Sequence, residues 1–269
     1  MLPILQIGPL ALQTPGLALL AGLWLGLSLA ERYSQARGVS PNALYNLVFT
    51  TLLAALAGAR LSYLAQYPAV FLESPLSLLS LNPSLLDPWG AAAGAVLAAL
   101  IYGQRSRLPF WSTLDALAPL LGVLAIGVGL SHLASGSAFG APTGLPWAVN
   151  LWGADRHPSQ VYETLAAGLI LALLWPGRAL RWGWAPGVYA LAFIALHAAA
   201  RLALEAFRGD SLLLPGGLRT AQPAAWIILA LALWAISRRH ATFTRQTASN
   251  DLMDQSTTGG SEDVGRAGL

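Results

Sequence analysis

The chain has 269 residues, of which 55% are hydrophobic and 10% are charged; soluble domains carry about 25% charged residues, so this composition indicates a membrane protein. The 15 basic residues, all of them Arg, and the 12 acidic residues leave a net charge of +3, which is too small to indicate nucleic acid as a partner. No cysteine is present, which excludes a disulfide framework, a cysteine-ligated metal and a thiol nucleophile supplied by this chain.

Seven apolar stretches are long enough, or nearly long enough, to cross a bilayer as helices, which takes roughly 17 to 25 residues. The N-terminal MLPILQIGPLALQ lacks the basic start of a signal peptide, so the first stretch is interpreted as an uncleaved membrane helix. The sequence therefore predicts an all-α polytopic membrane protein with seven transmembrane helices. They lie at about residues 14–30, 43–66, 89–103, 112–131, 158–177, 184–206 and 221–237.

Arginine pairs follow every second predicted helix, and short cytoplasmic loops are enriched in Arg and Lys. The pairs come after helices one, three, five and seven: Arg32 and Arg37, Arg105 and Arg107, Arg178 and Arg181, and Arg238 and Arg239. With these loops inside, the N-terminus lies outside and the C-terminus lies in the cytoplasm. Residues 241–269 are polar and predict a disordered cytoplasmic tail, which leaves residues 1–240 as a seven-helix transmembrane domain.

Polar side chains interrupt the apolar pattern at one predicted depth. Arg60 lies late in helix two, and the segment RHPSQVYE, residues 156–163, begins helix five with Pro158 in the first turn, a position that suits proline. Helix six carries four polar residues at a spacing that places them on one face: His197, Arg201, Glu205 and Arg208. Since helices two and six run outward and helix five starts outside, these groups are expected in the outer half of the membrane.

Charged residues inside membrane helices usually mark a substrate path, because each costs about 2.5 to 3.5 kcal/mol at the bilayer centre. A cavity that carries Arg60, Arg201 and Arg208 suits a phosphate, since guanidinium forms paired hydrogen bonds with phosphate oxygens. The outer leaflet offers phospholipid headgroups as the source of that phosphate. The purely structural alternative is that Arg201 and Glu205 neutralise each other, while Arg156 and Arg208 reach the headgroups.

Five short motifs resemble, in order along the chain, those of bacterial prolipoprotein diacylglyceryl transferases. RHPSQVYE is similar to the RHPSQLYE segment of that family, and GARLSYLAQYP, residues 58–68, is similar to its GARIGYV segment. RLALEAFRGD, residues 201–210, resembles RFxxEFFR, IGPLAL resembles the opening GP motif, and Asp115, Ala118 and Pro119 resemble DxxAP. The predicted topology also agrees with that of the family.

The resemblance implies a transferase of the bacterial plasma (inner) membrane with its site toward the outer leaflet. Such an enzyme moves the diacylglyceryl group of phosphatidylglycerol onto the lipobox cysteine of a prolipoprotein signal peptide and releases glycerol phosphate; no metal or cofactor is implied. By the same resemblance, Arg201 would hold phosphate, and Glu205 would orient it or transfer a proton. The substrate pocket would be formed by Arg60, Gly140, His157, Gln160, Tyr162, Glu163 and Arg208.

The chain departs from the family at four positions of catalytic importance. They are Pro15 in place of a Tyr, Trp89 in place of a His proposed as the base, Gly129 in place of a phosphate-binding Arg, and Ser137 in place of a Glu. His132 stands at an Asn position, in the predicted outer loop after helix four, and is a hypothetical substitute base because a neutral imidazole suits proton transfer near pH 7. The alternative for His132 is an interfacial residue that bonds loop carbonyls or water.

Two functional hypotheses are therefore compatible with the sequence. One is an active transferase with a rearranged site, and the other is a catalytically degenerate relative that binds phospholipid or lipoprotein without transfer. A small-solute transporter fits less well, because its site would lie near the midplane between repeated halves, whereas no repeat is visible here. The long outer connection, residues 131–155, is expected to cover the site or to receive the partner polypeptide.

Overall fold

The computed structural model of the protein describes residues 4–7, 10–69 and 85–266, with side chains up to residue 244 except those of residues 5, 7, 10 and 11. Each of the seven predicted stretches is confirmed as helical within these residues, with different bounds. The helices are α1 (Thr14–Ser34), α2 (Pro41–Gln66), α3 (Pro88–Arg105), α4 (Phe110–Ser135), α5 (Ser159–Leu173), α6 (Val188–Glu205) and α7 (Ala221–Arg266). Two short antiparallel hairpins join β1 (Ile4–Ile7) to β2 (Leu10–Gln13) and β3 (Val149–Leu151) to β4 (Ala154–Arg156).

Six helical segments of the described chain are long and apolar enough to cross a membrane. They are Thr14–Arg37, Pro41–Gln66, Phe110–Ser135, Ser159–Trp182, Val188–Glu205 and Ala221–Thr244. The helix α3, which corresponds to the predicted stretch 89–103, has 18 residues but does not belong to this set. The all-α membrane class is confirmed, while the seventh crossing and the orientation stay predictions.

Two helix ends and one connection differ from the prediction in ways that bear on the site. Helix α4 continues to Ser135, so the placement of His132 in the following loop is wrong: this residue lies in the last turns of the helix. The connection that follows contains the β3–β4 hairpin, which the sequence analysis does not predict. Helix α7 continues to Arg266, past residue 240, where the predicted disordered tail begins; the division of the chain at that residue stays a prediction.

The chain forms two compact units, of which unit 1 comprises Met1–Ser28 with Ala118–Leu269 and unit 2 comprises Leu29–Leu117. In unit 2, α2 and α3 pack closely along small residues. A methyl group added at Gly58, Gly90 or Gly94 would overlap atoms of the facing helix. Small residues allow membrane helices to approach in this way, so that close packing replaces the hydrophobic driving force that lipid does not supply.

The start of α3 is capped by Asp87. Its carboxylate accepts hydrogen bonds from the Gly90 backbone N–H and from the Ser62 hydroxyl, each at 2.7 Å. Pro88 occupies the first turn, where its missing N–H leaves no intrahelical bond unmade. Because Ser62 belongs to α2, Asp87 also ties the two helices of unit 2 together.

In unit 1, α6 packs against both α5 and α7. Its core contains buried apolar side chains, among them Ile170 and Leu171 of α5 and Phe193 of α6. The hydroxyl of buried Tyr189 donates a hydrogen bond to the carbonyl oxygen of Leu174 at 2.8 Å, which satisfies the polar end of this side chain. This packing brings the polar face of α5 to the polar face of α6.

The connection between α4 and α5 folds back onto the start of α5. The buried Ser159 hydroxyl donates to the carbonyl oxygen of Ala138 at 2.6 Å. The turn of the β3–β4 hairpin consists of Trp152 and Gly153, with φ angles of +56° and +74°, and the two-residue turns that best suit strand twist need positive φ at both positions. The connection is therefore an ordered structure attached to the helix that carries the RHPSQVYE motif.

Candidate functional site

Glu163, near the start of α5, is the centre of a charged cluster in unit 1. Its Oε1 accepts hydrogen bonds from Nη1 of Arg201 at 2.9 Å and from Nη1 of Arg208 at 2.7 Å. Its Oε2 lies 3.4 Å from Nδ1 of His132 on α4. The Glu163 side chain is only 17% exposed, and a buried carboxylate is stable only with such partners.

Arg201 connects this carboxylate to a second one on its own helix. Its Nη2 lies 3.0 Å from Oε2 of Glu205, four residues along α6, which confirms the shared face predicted from the spacing. Glu205 is 1% exposed and also accepts a hydrogen bond from the Ser211 hydroxyl. Arg201 does pair with Glu205, as in the structural alternative, but it is 37% exposed and reaches Glu163 as well. Its guanidinium is therefore both held in place and accessible.

Arg208, three residues after the end of α6, contacts the carboxylates of both Glu163 and Asp210. Its Nε and Nη2 donate to the two carboxylate oxygens of Asp210 at 3.0 and 2.8 Å. Burial lowers the pKa of Arg208, but the hydrogen bond to Glu163 and the charges of Glu163 and Asp210 raise it, and the net direction is upward. Arg208 therefore stays charged and engaged within the cluster.

Three residues that support the cluster are not predicted from the sequence: Asp210, Ser211 and Arg219. Asp210 is the last residue of RLALEAFRGD, and its position two residues after Arg208 is the feature of the sequence that indicates an ion pair. Arg219 donates a hydrogen bond to the backbone carbonyl of Arg208. Ser211 and Arg219 lie in an irregular connection before α7, where no helical or strand periodicity relates a residue to its neighbours.

Several predicted pocket residues attach the preceding connection to α5. The buried Gln160 side chain donates to the carbonyl oxygen of Ser137 at 2.9 Å. The backbone N–H of His157 donates to the carbonyl oxygen of Ala141 at 3.0 Å, and any side chain at Gly140 would overlap His157. Gln160 and Gly140 thus shape this end of unit 1, while their contact with a substrate stays a prediction.

An aromatic group adjoins the same segment. The Tyr162 hydroxyl accepts a hydrogen bond from Nε1 of Trp147 at 2.8 Å and lies 3.5 Å from Nδ1 of His157. The Phe207 ring packs edge-on against both, with centroid distances of 5.8 Å to Tyr162 and 5.1 Å to His157. Tyr162 and His157 therefore lie together, in contact with two further aromatic residues, Trp147 and Phe207.

Arg156, at the end of β4, has a structural role. Its Nε donates to the carbonyl oxygen of Leu151 at 3.0 Å, and its Nη1 donates to that of Gly140 at 3.2 Å. The guanidinium also lies 4.9 Å from the ring centre of Phe139. These bonds lie within the α4–α5 connection, so the side chain is used there rather than for reaching lipid headgroups.

A cavity of about 260 Å³ lies beside Glu163 and Arg201. Its apolar walls come from α4, α5 and α6 and include Ala125, Val128, Ile170 and Leu204. His197 also lines it: Nδ1 lies 3.0 Å from the carbonyl oxygen of Phe193, and the buried Nε2 has no hydrogen-bond partner in the described part of the chain. The combination of charged groups with apolar walls suits an amphiphilic ligand.

Among the predicted pocket residues, Arg60 alone lies in unit 2. Its Nη1 donates to the carbonyl oxygen of Leu85 at 3.4 Å, and its place in a common pocket stays a prediction. No group of three or more His, Asp or Glu side chains that could hold a metal ion occurs within the described ranges.

The four departures from the family motifs lie in different surroundings. Pro15 is in the first turn of α1, and Trp89 is exposed at the start of α3. Gly129 of α4 lies against Thr164 of α5, so that any side chain at position 129 would overlap it. Ser137 bonds the hydroxyl of Ser135 at 2.7 Å. Of these four residues, only Gly129 is enclosed by helix packing.

The chain is similar to known proteins along most of its length. A family model described as prolipoprotein diacylglyceryl transferase matches residues 3–238. A relative from Thermosynechococcus vestitus named phosphatidylglycerol-prolipoprotein diacylglyceryl transferase is 30% identical over 246 residues, which cover 87% of this chain and 91% of the relative. A protein of the same name from Rhizobium leguminosarum is 31% identical, over 87% of this chain and 89% of the relative. Another, from Bordetella parapertussis, is 33% identical, over 64% of this chain and 69% of the relative.

Proposed function

Because the chain belongs to the prolipoprotein diacylglyceryl transferase family, we propose that it transfers the diacylglyceryl group of phosphatidylglycerol to the lipobox cysteine of prolipoproteins and releases glycerol phosphate. The names of its relatives support both substrates. The observation that carries the proposal is that one carboxylate, Glu163, contacts both Arg201 and His132. A group suited to phosphate and a group suited to proton transfer are thus organised by one side chain.

The phosphate is assigned to Arg201. A planar guanidinium donates paired hydrogen bonds to phosphate oxygens, and Glu163 and Glu205 fix the orientation of this one before a substrate arrives. The leaving group gains negative charge as the bond between the glyceryl carbon and its phosphate oxygen breaks. A cation that is already oriented stabilises this charge without reorganising during the reaction.

The proton is assigned to His132. A hydrogen bond from Nδ1–H to Oε2 of Glu163 would leave Nε2 as the acceptor, as in other carboxylate-oriented imidazoles. The substrate thiol gives its proton to Nε2, its sulfur forms the new bond to the glyceryl carbon, and the electron pair of the broken C–O bond leaves with glycerol phosphate. The proton on His132 then returns to water or to the product phosphate.

The enzyme is proposed to cross the bacterial inner membrane seven times, with α3 as the seventh crossing. The Arg pairs after alternate helices support an outer N-terminus and a cytoplasmic C-terminus. In that orientation the start of α5 and the end of α6 face the outer leaflet, where a secreted prolipoprotein leaves the membrane. The proposal needs no cofactor, metal or nucleic acid.

A reconstituted assay tests the proposed function directly. The purified protein is incubated with phosphatidylglycerol and a lipobox peptide, and mass spectrometry measures both the diacylglyceryl thioether and released glycerol phosphate. We expect one glycerol phosphate for each thioether, and no product from a peptide whose cysteine is replaced by serine. A folded protein that yields no thioether would rule out the transferase assignment.

The degenerate alternative is favoured by one observation, the packing of Gly129 against Thr164. This packing leaves no room at position 129 for an Arg side chain, and the resemblance implies that other members of the family bind phosphate with an Arg at this position. In this second hypothesis the cluster holds the phosphate of a phospholipid that is not cleaved. Retention of phosphatidylglycerol through purification, together with no thioether in the reconstituted assay, is the result that this hypothesis expects.

A further inference from the structure

A second cavity, of about 250 Å³, lies within unit 2. Residues from α2, from the end of α3, from the α3–α4 loop and from the start of α4 enclose it, and we call it the α3–α4 cavity. Its lining includes Leu47, Leu100, Gly103, Gln104, Leu108 and Phe110. None of the residues assigned to the proposed transferase reaction belongs to this lining.

The α3–α4 cavity is apolar and open at the protein surface. Leu100 and Phe110 are 45% and 55% exposed although they line it, so its mouth lies on an apolar surface of helices that face lipid. Gly103 helps to create the space, because a Cβ atom added there would meet nothing within 4 Å. The cavity therefore offers an apolar chain in the bilayer a space that is open at the protein surface.

Two Arg residues are adjacent in sequence to residues that line the cavity. Arg105 directly follows Gln104, and Arg107 directly precedes Leu108. Both are exposed, and neither forms an ion pair with a side chain that the structure describes. The loop is tight, since the backbone N–H groups of Arg107 and Leu108 donate to the carbonyl oxygens of Gln104 at 3.1 Å and of Gly103 at 2.9 Å. Arg107 has a φ angle of +52°. The loop thus carries two exposed Arg residues, each adjacent along the chain to a residue of the cavity lining.

We propose that the α3–α4 cavity binds one acyl chain of an anionic phospholipid whose phosphate lies against Arg105 and Arg107. Basic sites at the ends of membrane helices attract anionic headgroups, and guanidinium pairs well with phosphate. The orientation proposed above puts this loop in the cytoplasmic leaflet. A prolipoprotein signal peptide fits less well, because its basic start would be repelled by the two Arg residues. The proposal does not depend on transferase activity.

Photolabelling tests this site. The full chain is reconstituted in phosphatidylcholine vesicles that contain a trace of phosphatidylserine with a photoreactive acyl chain, and labelled peptides are mapped by mass spectrometry. Phosphatidylserine is used because it is anionic but is not the proposed transferase substrate. We expect labelling of residues 99–117 to exceed that by a phosphatidylcholine probe with the same chain. Replacing Arg105 or Arg107 by Gln should each reduce the labelling about fivefold.

Two helix glycines provide a matched pair of variants. Gly103→Leu fills the cavity, whereas Gly168→Leu adds the same side chain to α5 at a position where a Cβ would also meet nothing within 4 Å. We expect labelling of residues 99–117 to be lost in Gly103→Leu and kept in Gly168→Leu, with equal thermal unfolding of the two variants. Labelling that persists in Gly103→Leu, equal labelling by the two probes, or displacement by a signal peptide at lower concentration than by phosphatidylserine would each overturn the proposal.

Discussion

Two buried carboxylates show how the two units use charge differently. In unit 2, Asp115 is 1% exposed and lies 3.4 Å from Arg37, which is itself largely buried. In unit 1, Glu163 binds two Arg residues and adjoins His132, and one of those Arg residues is accessible beside a cavity. The first is a buried ion pair within unit 2, while the second combines several groups around space for a ligand.

The difference shows that burial of a charge does not by itself identify a functional site. Isolating a charge from water is costly whatever its role, so both carboxylates have partners. What distinguishes Glu163 is the mixture of groups around it, because a phosphate-binding cation and a titratable imidazole contact the same side chain. Four variants test whether that distinction is real, from the largest expected effect to the smallest.

The largest effect is expected for Arg201→Ala in the Glu163 cluster. Removing the cation that would stabilise the leaving phosphate should lower kcat/KM for lipidation by about 10³-fold or more. The purified variant is compared with wild type in the thioether assay, and its amount in the membrane is measured by immunoblot. Arg238→Ala, at an exposed position on α7, serves as the control and should keep full activity. Unchanged lipidation by Arg201→Ala would remove the central assignment.

Asp115→Asn should affect stability rather than chemistry. Removing one partner of a buried ion pair costs about 3 to 5 kcal/mol of stability. Thermal unfolding in detergent should therefore shift markedly downward, while the activity of the fraction that is still folded stays near that of wild type. Glu31→Gln changes a more exposed carboxylate in the same unit and should shift unfolding much less. A folded but inactive Asp115→Asn protein would contradict the assignment of a purely structural role to Asp115.

His132→Gln tests the proton-transfer role within the Glu163 cluster. Loss of a general base typically costs about 10²-fold or more in rate, so kcat should fall while KM for phosphatidylglycerol changes little. The pH profile of kcat is the diagnostic measurement, because the limb that reports the imidazole should disappear in the variant. If the variant keeps both the rate and the profile of wild type, His132 is an interfacial residue and the base lies elsewhere.

The smallest effect is expected for Asp87, a half-buried carboxylate at the start of α3. The hydrogen bond from the Ser62 hydroxyl, together with that from the Gly90 N–H, lowers the pKa of Asp87. A lowered pKa means that the stabilisation is present above the ordinary pKa of aspartate and is lost as the pH falls through the lowered value. Asp87→Asn should therefore reduce the Tm slightly near neutral pH, and the difference from wild type should shrink in acid. A difference that grows in acid would contradict the assigned cause.

Much of the fold could be predicted from the sequence because membrane helices depend on local properties. An apolar stretch of sufficient length has to satisfy its backbone hydrogen bonds within itself, so each of the seven stretches forms a helix. Helix ends were harder to predict. The connection that follows Ser135 is attached to α5 by contacts such as that between Ser159 and Ala138, and these residues are far apart along the chain.

The candidate site divides in the same way. The spacing of Arg201 and Glu205 predicts a shared helical face, and their ion pair follows from the geometry of one helix. Helical periodicity does not show which residues of the neighbouring helices will contact this face of α6. The contacts of Glu163 with Arg201, Arg208 and His132 join α5 to α6, to the residues after α6 and to α4.

By itself, the sequence determined the membrane class, the positions of the helices and the residue types available for phosphate binding. Only the tertiary structure decided that Glu163 is the residue shared by the cations and the imidazole, and that Asp210 and Ser211 support them. The physical reason is that buried charges must find partners wherever packing brings them. Packing between helices depends on the shapes of all their side chains and not on the spacing within any one of them.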